Sequence, residues 1–258
     1  MVSFKLRIIR EQNRLYSFAL QLFDCLQANG SRVFLFHDIV DEMLFVKTKF
    51  VISRASFECF LKYQLSKGFH ANTFDELTRI IQGNKKKQDN SFMVTFDDAN
   101  ESVFIKAYPF LKLHNIPFIV FITETLIGNP GYLNKDQVMA LANDPLCTIG
   151  SHGCHHGIFR NLTLKEMDRE LTDSRSFLEE LTQKPVTCFA FPYGRIVECS
   201  VANVKQLKNS GYSFSFSAIA GSLNLSWLSS NYFLPRINVD EKSVKKIRKQ
   251  QIHSDIKN

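Results

Sequence analysis

Short apolar runs alternate with amphipathic segments along most of this chain. The runs are rich in β-branched and aromatic side chains, which favours buried strands. They lie at residues 33–36, 93–96, 116–122, 148–150, 188–191 and 213–218. Apolar residues at helical spacing predict helices near residues 57–65, 101–114, 134–143, 164–181 and 201–210. Strands that alternate with helices are typical of parallel βα units.

Local signals predict where several of these elements begin and end. Thr73 with Glu76, and Thr163 with Glu166, have the spacing of a capping box, which starts a helix. Pro109 lies inside a predicted helix and lacks a backbone N–H, so we expect it to end or kink that helix. The polar, lysine-rich segment 83–90 is predicted to be a loop.

The 258 residues show no internal repeat and no convincing linker. Residues 1–30 have apolar positions at helical spacing before Gly30, which predicts a helical lead-in. We therefore predict a single α/β domain at residues 32–240, preceded by a helical extension at 1–31. A basic helix or tail follows at 241–258.

Hydrophobic residues make up 45% of the chain and charged residues 22%, as in ordinary globular proteins. The net charge of +7 is concentrated in Lys85–Lys87 and in residues 242–257. A solvated loop and a basic helix explain this charge, and the tail is also a candidate for peripheral contact with a membrane or an anionic glycan. Nucleic acid is not an expected partner, because no recognition motif accompanies the charge.

The six cysteines form no CxxC pair, and the N-terminal residues do not contain the apolar stretch of a signal peptide. No run of 18 apolar residues occurs, so no membrane-spanning helix is expected. Together these features predict a reducing, cytoplasmic setting.

Polar side chains follow several of the predicted strands. Asp97 and Asp98 end one strand, and the histidine-rich stretch 151–156 ends another. Adjacent carboxylates repel, and a divalent cation is the usual compensation. Two histidines and one carboxylate form a recurring ligand set for zinc or iron that leaves positions open for water and substrate. Surface histidines in a loop are the alternative interpretation, and the paired aspartates argue against it.

Three motifs occur in the order of a known family. Thr95–Asp98, the spacing of His152 and His156, and Phe191–Gly194 resemble the polysaccharide deacetylase (NodB-homology, carbohydrate esterase family 4) domain over about residues 92–236. Residues 34–39 further resemble the first strand of the poly-N-acetylglucosamine deacetylase branch. The resemblance implies a distorted (β/α) barrel in a single domain.

The resemblance also implies a metal site, most often occupied by Zn²⁺. By position, its ligands are Asp98, His152 and His156. His155 is the rival for the second histidine, and the family spacing selects His156.

The catalytic roles come from the same resemblance. Asp97 corresponds to the general base, and the backbone N–H of Tyr193 to a donor that stabilises the oxyanion. The general acid in many members is a histidine in a C-terminal motif that this chain does not match. In the branch with the N-terminal strand, the histidine at that strand's end takes its place, which selects His37, with Asp38 as a group that orients it.

Two departures from the family pattern concern Asp97. The arginine that often pairs with the base is missing upstream of Phe191, and Arg236 or Arg195 is expected to replace it, with Arg236 preferred. Ala99 stands where the first motif usually has glycine, and a small residue is expected to suffice.

Three functions fit these features. The leading prediction is a metal-dependent hydrolase that removes N-acetyl groups from a sugar in a polysaccharide, a surface-glycan precursor or a lipid-linked intermediate. Because the family includes hydrolases of small cyclic amides, a cytosolic amidohydrolase is the alternative. An inactive metal- or glycan-binding protein is the third, and Asp97 argues against it because simple binding has no use for a second carboxylate.

Overall fold

The computed structural model describes residues 31–43, 48, 50–82, 90–195, 198, 202–223, 231–245 and 247. The predicted N-terminal helix, residues 83–89 of the predicted lysine-rich loop and most of the basic tail lie outside these residues. The predicted boundaries of the extension and the tail therefore stay predictions.

The strands of the described residues include six that are only two or three residues long. In chain order they are β1 Arg32–Phe36, β2 Asp38–Val40, β3 Val51–Ser53, β4 His70–Ala71, β5 Ser91–Phe96, β6 Phe118–Ile122, β7 Cys147–Ser151, β8 Cys188–Ala190, β9 Phe214–Phe216 and β10 Ile237–Asn238. The α-helices are α1 Arg54–Ser66, α2 Phe74–Ile81, α3 Tyr108–Leu113, α4 Lys135–Asn143, α5 Leu164–Thr182 and α6 Ala202–Asn209. Short 3₁₀ turns lie at Glu124–Leu126 and Phe159–Asn161.

Eight of the described strands form one parallel sheet in the order β10-β1-β5-β6-β7-β8-β9, with β4 paired to the start of β5. A parallel bridge joins Phe216 to Leu234, shortly before β10, so this segment contacts both edges of the sheet. The sheet is curled into a half-barrel covered by helices, which confirms the predicted fold class and the single domain.

The core lies on both faces of the sheet, as expected for parallel strands covered on both sides. In β5, Phe92, Val94 and Phe96 join the cluster that packs against the helices. Met93 points the other way, into a smaller cluster with residues such as Phe121 and Phe216. Burial on both faces explains why the longer strands are continuous apolar runs in the sequence.

Both predicted capping boxes are present, at Thr73–Glu76 and Thr163–Glu166. Pro109 does not end its helix, which continues to Leu113, but the turn before it is irregular. Residues Val103–Ala107 form a π-helix in which the N–H of Tyr108 donates to the carbonyl of Val103, and Pro109 then lies in the first turn of α3, where its missing N–H is harmless. None of the described helices is long and apolar enough to span a bilayer.

Candidate metal and catalytic site

Four groups of polar side chains lie just after β1, β5, β7 and β8, because parallel strands end at one edge of the sheet. Eight non-glycine residues of the described ranges have positive φ angles, and four of them lie at these strand ends: Asp98, Ala99, His156 and Tyr193, at 70°, 62°, 55° and 61°. Residues other than glycine seldom adopt this conformation, and such residues cluster at functional sites. The backbone at these strand ends is thus held in unusual shapes.

The structure brings Asp98, His152 and His156 together. The Oδ1 atom of Asp98 lies 3.2 Å from Nε2 of His156 and 3.5 Å from Nε2 of His152. Ligand atoms around a tetrahedral zinc ion, at bond lengths of about 2.0–2.2 Å, lie roughly 3.3–3.5 Å apart. Both distances from Asp98 therefore fit ligands of one ion, and all three ligand atoms lie within 4.8 Å of one another.

A hydrogen bond sets the orientation of His152. Its Nδ1 atom lies 2.7 Å from the carbonyl oxygen of Ala190, so Nδ1–H donates there and Nε2 faces Asp98. Within the described residues, Oδ1 of Asp98 is buried and has no hydrogen-bond partner. Acceptor atoms that face one another without a donor fit a bound cation, so these residues suit a divalent metal.

The charges at this cluster also fit a bound cation. Burial by itself would lower the pKa of His152, but the negative charges of Asp97 and Asp98 raise it overall. Burial would raise the pKa of Asp98, and its contacts with His152 and His156 lower it far below the usual value. The Asp98 carboxylate is thus stabilised by positive charge, which a proton on a histidine or a metal ion supplies.

Asp97 is buried and forms a bidentate pair with Arg236. The two guanidinium nitrogens lie 2.6 and 2.7 Å from its carboxylate oxygens. Burial alone would raise the pKa of Asp97, but the charges of Arg236 and His152 and the hydrogen bonds from Arg236 lower it. Asp97 is therefore an ionised carboxylate at neutral pH, 3.8 Å from Nε2 of His152.

Arg236 lies between Leu234, which bridges to β9, and β10, which pairs with β1. Its side chain is buried, with Nε donating to the carbonyl of Ser217 at 2.8 Å and a terminal nitrogen 3.3 Å from Oγ1 of Thr95. The alternative, Arg195, pairs instead with Glu198. The structure thus places the preferred arginine, and not the alternative, against Asp97.

Tyr193 lies on the tight turn after β8. Its ring is half exposed and contacts the ring of His156, with centroids 4.8 Å apart. Its backbone N–H has no hydrogen-bond partner within the described residues, so it is free to bind a substrate oxygen. The turn requires glycine at Gly194, because a Cβ there would lie 2.5 Å from the backbone nitrogen of Ala218.

His37 lies at the end of β1, where its ring packs against Phe50 with centroids 4.8 Å apart. Burial lowers the pKa of His37, although the charges of Asp97 and Asp98 oppose this. Its Nδ1 atom is buried without a partner among the described residues. Asp38 does not orient it there, because its carboxylate accepts a hydrogen bond from Ser102 at 2.7 Å.

His155 is separated from the cluster. Its Nδ1 atom lies 2.6 Å from a carboxylate oxygen of Glu170, and its side chain is largely exposed. The structure therefore groups His156, and not His155, with the other two candidate ligands. Sequence reasoning did not identify Glu170, although a charged residue between the buried positions Met167 and Leu171 of a helix was the available signal.

Comparison with known proteins gives the class of this protein. The family model of polysaccharide deacetylases matches residues 84–213, which is half of the chain. The chain therefore belongs to the polysaccharide deacetylase family, whose members include enzymes named as N-deacetylases. His37 and Arg236 lie outside the matched residues.

Individual relatives agree with this assignment. The chain is 25% identical over 161 residues to the putative polysaccharide deacetylase YxkH of Bacillus subtilis, covering 62% of this chain and 56% of that protein. It is 26% identical over 208 residues to the poly-β-1,6-N-acetyl-D-glucosamine N-deacetylase of Staphylococcus aureus, covering 74% and 68%. The chain thus spans little more than half the length of YxkH.

A solved structure shows the same fold. IcaB from Ammonifex degensii aligns with a TM-score of 0.73 at 23% identity, covering 85% of this chain and 95% of that one. The deacetylase PplD of Streptococcus pyogenes, solved in complex with acetate, aligns with a TM-score of 0.69 at 16% identity, covering 85% and 97%.

Proposed function

We propose that this protein is a metal-dependent hydrolase that removes N-acetyl groups from an N-acetylated sugar in a polysaccharide or a glycan precursor. The observation that carries the proposal is that two adjacent carboxylates have different surroundings. Asp98 faces two histidine nitrogens with an oxygen that has no hydrogen-bond partner among the described residues, whereas Asp97, next to it, is held ionised by Arg236. Membership of the family and the similarity to the S. aureus enzyme support a sugar substrate.

The three-ligand cluster is the proposed metal site, and zinc is the metal that its nitrogen and carboxylate donors suit best. A bound divalent ion would polarise the acetyl carbonyl and lower the pKa of a nearby water molecule. The identity of the metal and a cytoplasmic location stay predictions.

The chain's own residues supply the remaining chemistry. Asp97 accepts a proton from water while the water oxygen bonds to the acetyl carbon. The N–H of Tyr193 donates to the oxyanion that forms on the carbonyl oxygen. When the carbon–nitrogen bond breaks, His37 donates a proton to the nitrogen, and the products are acetate and an amino sugar. Since burial lowers the pKa of His37, it must gain that proton before each turnover.

The neighbouring histidines offer a matched pair of variants that tests the proposal. Purified wild type is expected to bind one equivalent of Zn²⁺ and to release acetate from N-acetylglucosamine oligomers. His156→Ala should lose both properties, because it removes a ligand 3.2 Å from Asp98. His155→Ala should retain both, because His155 contacts Glu170 instead. Equal effects of the two substitutions, or hydrolysis of a cyclic amide without acetate release, would overturn the proposal.

A further inference from the structure

Glu170 is an acidic residue on the buried face of α5. Its neighbours on that face include Met167, Leu171 and Leu178, and Glu170 itself is 7% exposed. Acidic side chains are rarely this buried unless they are paired or hydrogen-bonded. The proposed reaction uses no group on this helix.

The Glu170 carboxylate binds the loop between the two histidine ligands. Its Oε2 atom accepts hydrogen bonds from the backbone N–H of Cys154 at 2.7 Å and of His155 at 3.0 Å. Its Oε1 atom lies 2.6 Å from Nδ1 of His155. A Cβ on Gly153, whose φ is +85°, would lie 2.8 Å from Oε2, so the loop backbone also approaches this carboxylate closely. The carboxylate thus hydrogen-bonds to Cys154 and His155 and leaves no room for a side chain at Gly153.

The helix that carries Glu170 is itself fixed to β7. Ser174 is one turn along α5, and its hydroxyl lies 2.8 Å from that of Ser151, the last residue of β7. The Ser174 hydroxyl also bonds the carbonyl of Glu170 at 2.6 Å. The strand end, the loop and the helix therefore form one hydrogen-bonded unit.

We infer that Glu170 is a positioning residue that holds the 153–155 loop so that His152 and His156 face the same ion. The inference rests on the proposed metal site. A buried carboxylate that accepts two consecutive backbone N–H groups fixes the path of the loop, and the path of the loop sets the distance between the two histidine rings, whose centroids are 5.0 Å apart.

The same side chains also suggest a second metal site, since Cys154, His155 and Glu170 lie near one another. The geometry favours the positioning role. The His155 and Glu170 atoms are 2.6 Å apart, a hydrogen-bond distance and shorter than the roughly 3.3 Å between ligands of tetrahedral zinc. The other oxygen of Glu170 already accepts two backbone hydrogen bonds.

The test compares the zinc affinity and the Co²⁺ visible spectrum of Glu170→Met and Glu170→Gln. Methionine has no strong acceptor for the loop, so E170M should bind zinc about 10–100-fold more weakly and change the Co²⁺ spectrum. Glutamine keeps one oxygen for both N–H groups, so E170Q should stay within about 3-fold of wild type. His155→Ala removes only the side-chain contact and should behave like E170Q.

The inference is overturned if folded E170M binds zinc like wild type, or if wild type binds two equivalents and E170M loses only the second. If E170M does not fold, Glu170→Asp replaces it, because its shorter side chain withdraws the acceptor from the loop. Weaker zinc binding by E170D supports the inference, and unchanged binding overturns it. Zinc binding without acetate release by wild type would refute the proposed function and leave this test valid.

Discussion

Replacement of Arg236 by methionine tests how the base is kept ionised. Arg236→Met preserves most of the side-chain volume but removes the cation that neutralises Asp97. Both groups are buried, so water cannot take over the lost hydrogen bonds. We expect R236M to be folded but much less stable, with the pKa of Asp97 raised because desolvation is no longer opposed by the guanidinium charge.

The expected loss follows from the bonds involved. Arg236 donates two charge-assisted hydrogen bonds to Asp97, each contributing about 1.5–3 kcal/mol. Breaking a buried ion pair by removing one partner typically costs about 3–5 kcal/mol, which agrees with the sum of the two bonds. Asp97→Asn should also destabilise, because it leaves the guanidinium without a counter-charge. The double variant, Arg236→Met with Asp97→Asn, removes both charges, so we expect a coupling free energy between the two substitutions of about 2–3 kcal/mol.

The pH dependence of stability should differ between wild type and R236M in a direction set by the pKa of Asp97. The folded-state pKa of Asp97 is lowered, so its pairing stabilises the wild type above the unfolded-state value of 3.8 and this contribution is lost as the pH falls through the folded-state pKa. In R236M the acid becomes neutral at higher pH. The difference in stability between R236M and wild type should therefore be largest near neutral pH and shrink on acidification.

The assay is urea unfolding of wild type, the two single variants and the double variant, in excess chelator so that metal binding does not contribute. It should be repeated at neutral and acidic pH. A coupling free energy below about 1 kcal/mol, or a stability difference that grows on acidification, would refute the reasoning.

Three further substitutions separate stability from chemistry. Thr163→Ala removes the capping box with Glu166 and should lower the free energy of unfolding by about 1 kcal/mol with acetate release unchanged, as measured by urea unfolding and an acetate assay. His37→Gln should lower kcat about 100-fold or more with bound zinc unchanged, and a normal kcat would exclude His37 as the acid. Gly194→Ala places a Cβ 2.5 Å from the Ala218 nitrogen, so kcat should fall at least about 10-fold as the Tyr193 N–H is displaced; wild-type kcat would show that this turn does not position it.

Much of the fold was predictable because its longer strands are buried on both faces and appear as apolar runs. The helix starts at Thr73 and Thr163 were predictable for a local reason, since a capping box involves residues three positions apart. Strands such as β4 and β10 were missed, because two residues have no periodicity and pair only through the rest of the sheet.

Some residues of the candidate site were likewise predictable from the sequence, and others were not. Asp97, Asp98 and the histidines lie directly after strands, so the sequence shows that they converge. The Arg236–Asp97 pair joins residues 139 positions apart and depends on how the sheet closes. The directions of the two adjacent histidines depend on a loop with positive φ angles, which residue spacing does not reveal.

The most direct test of the central claim is acetate release from N-acetylglucosamine oligomers by zinc-loaded wild type and Asp97→Asn, with bound zinc measured in the same samples. Asp97 is proposed to move a proton and not to hold the ion, whereas Asp98 faces both histidines. D97N should therefore keep its zinc and lose at least about 100-fold in kcat. Wild-type rates from zinc-loaded D97N, or no acetate from wild type, would contradict the assignment of this site as an N-deacetylase.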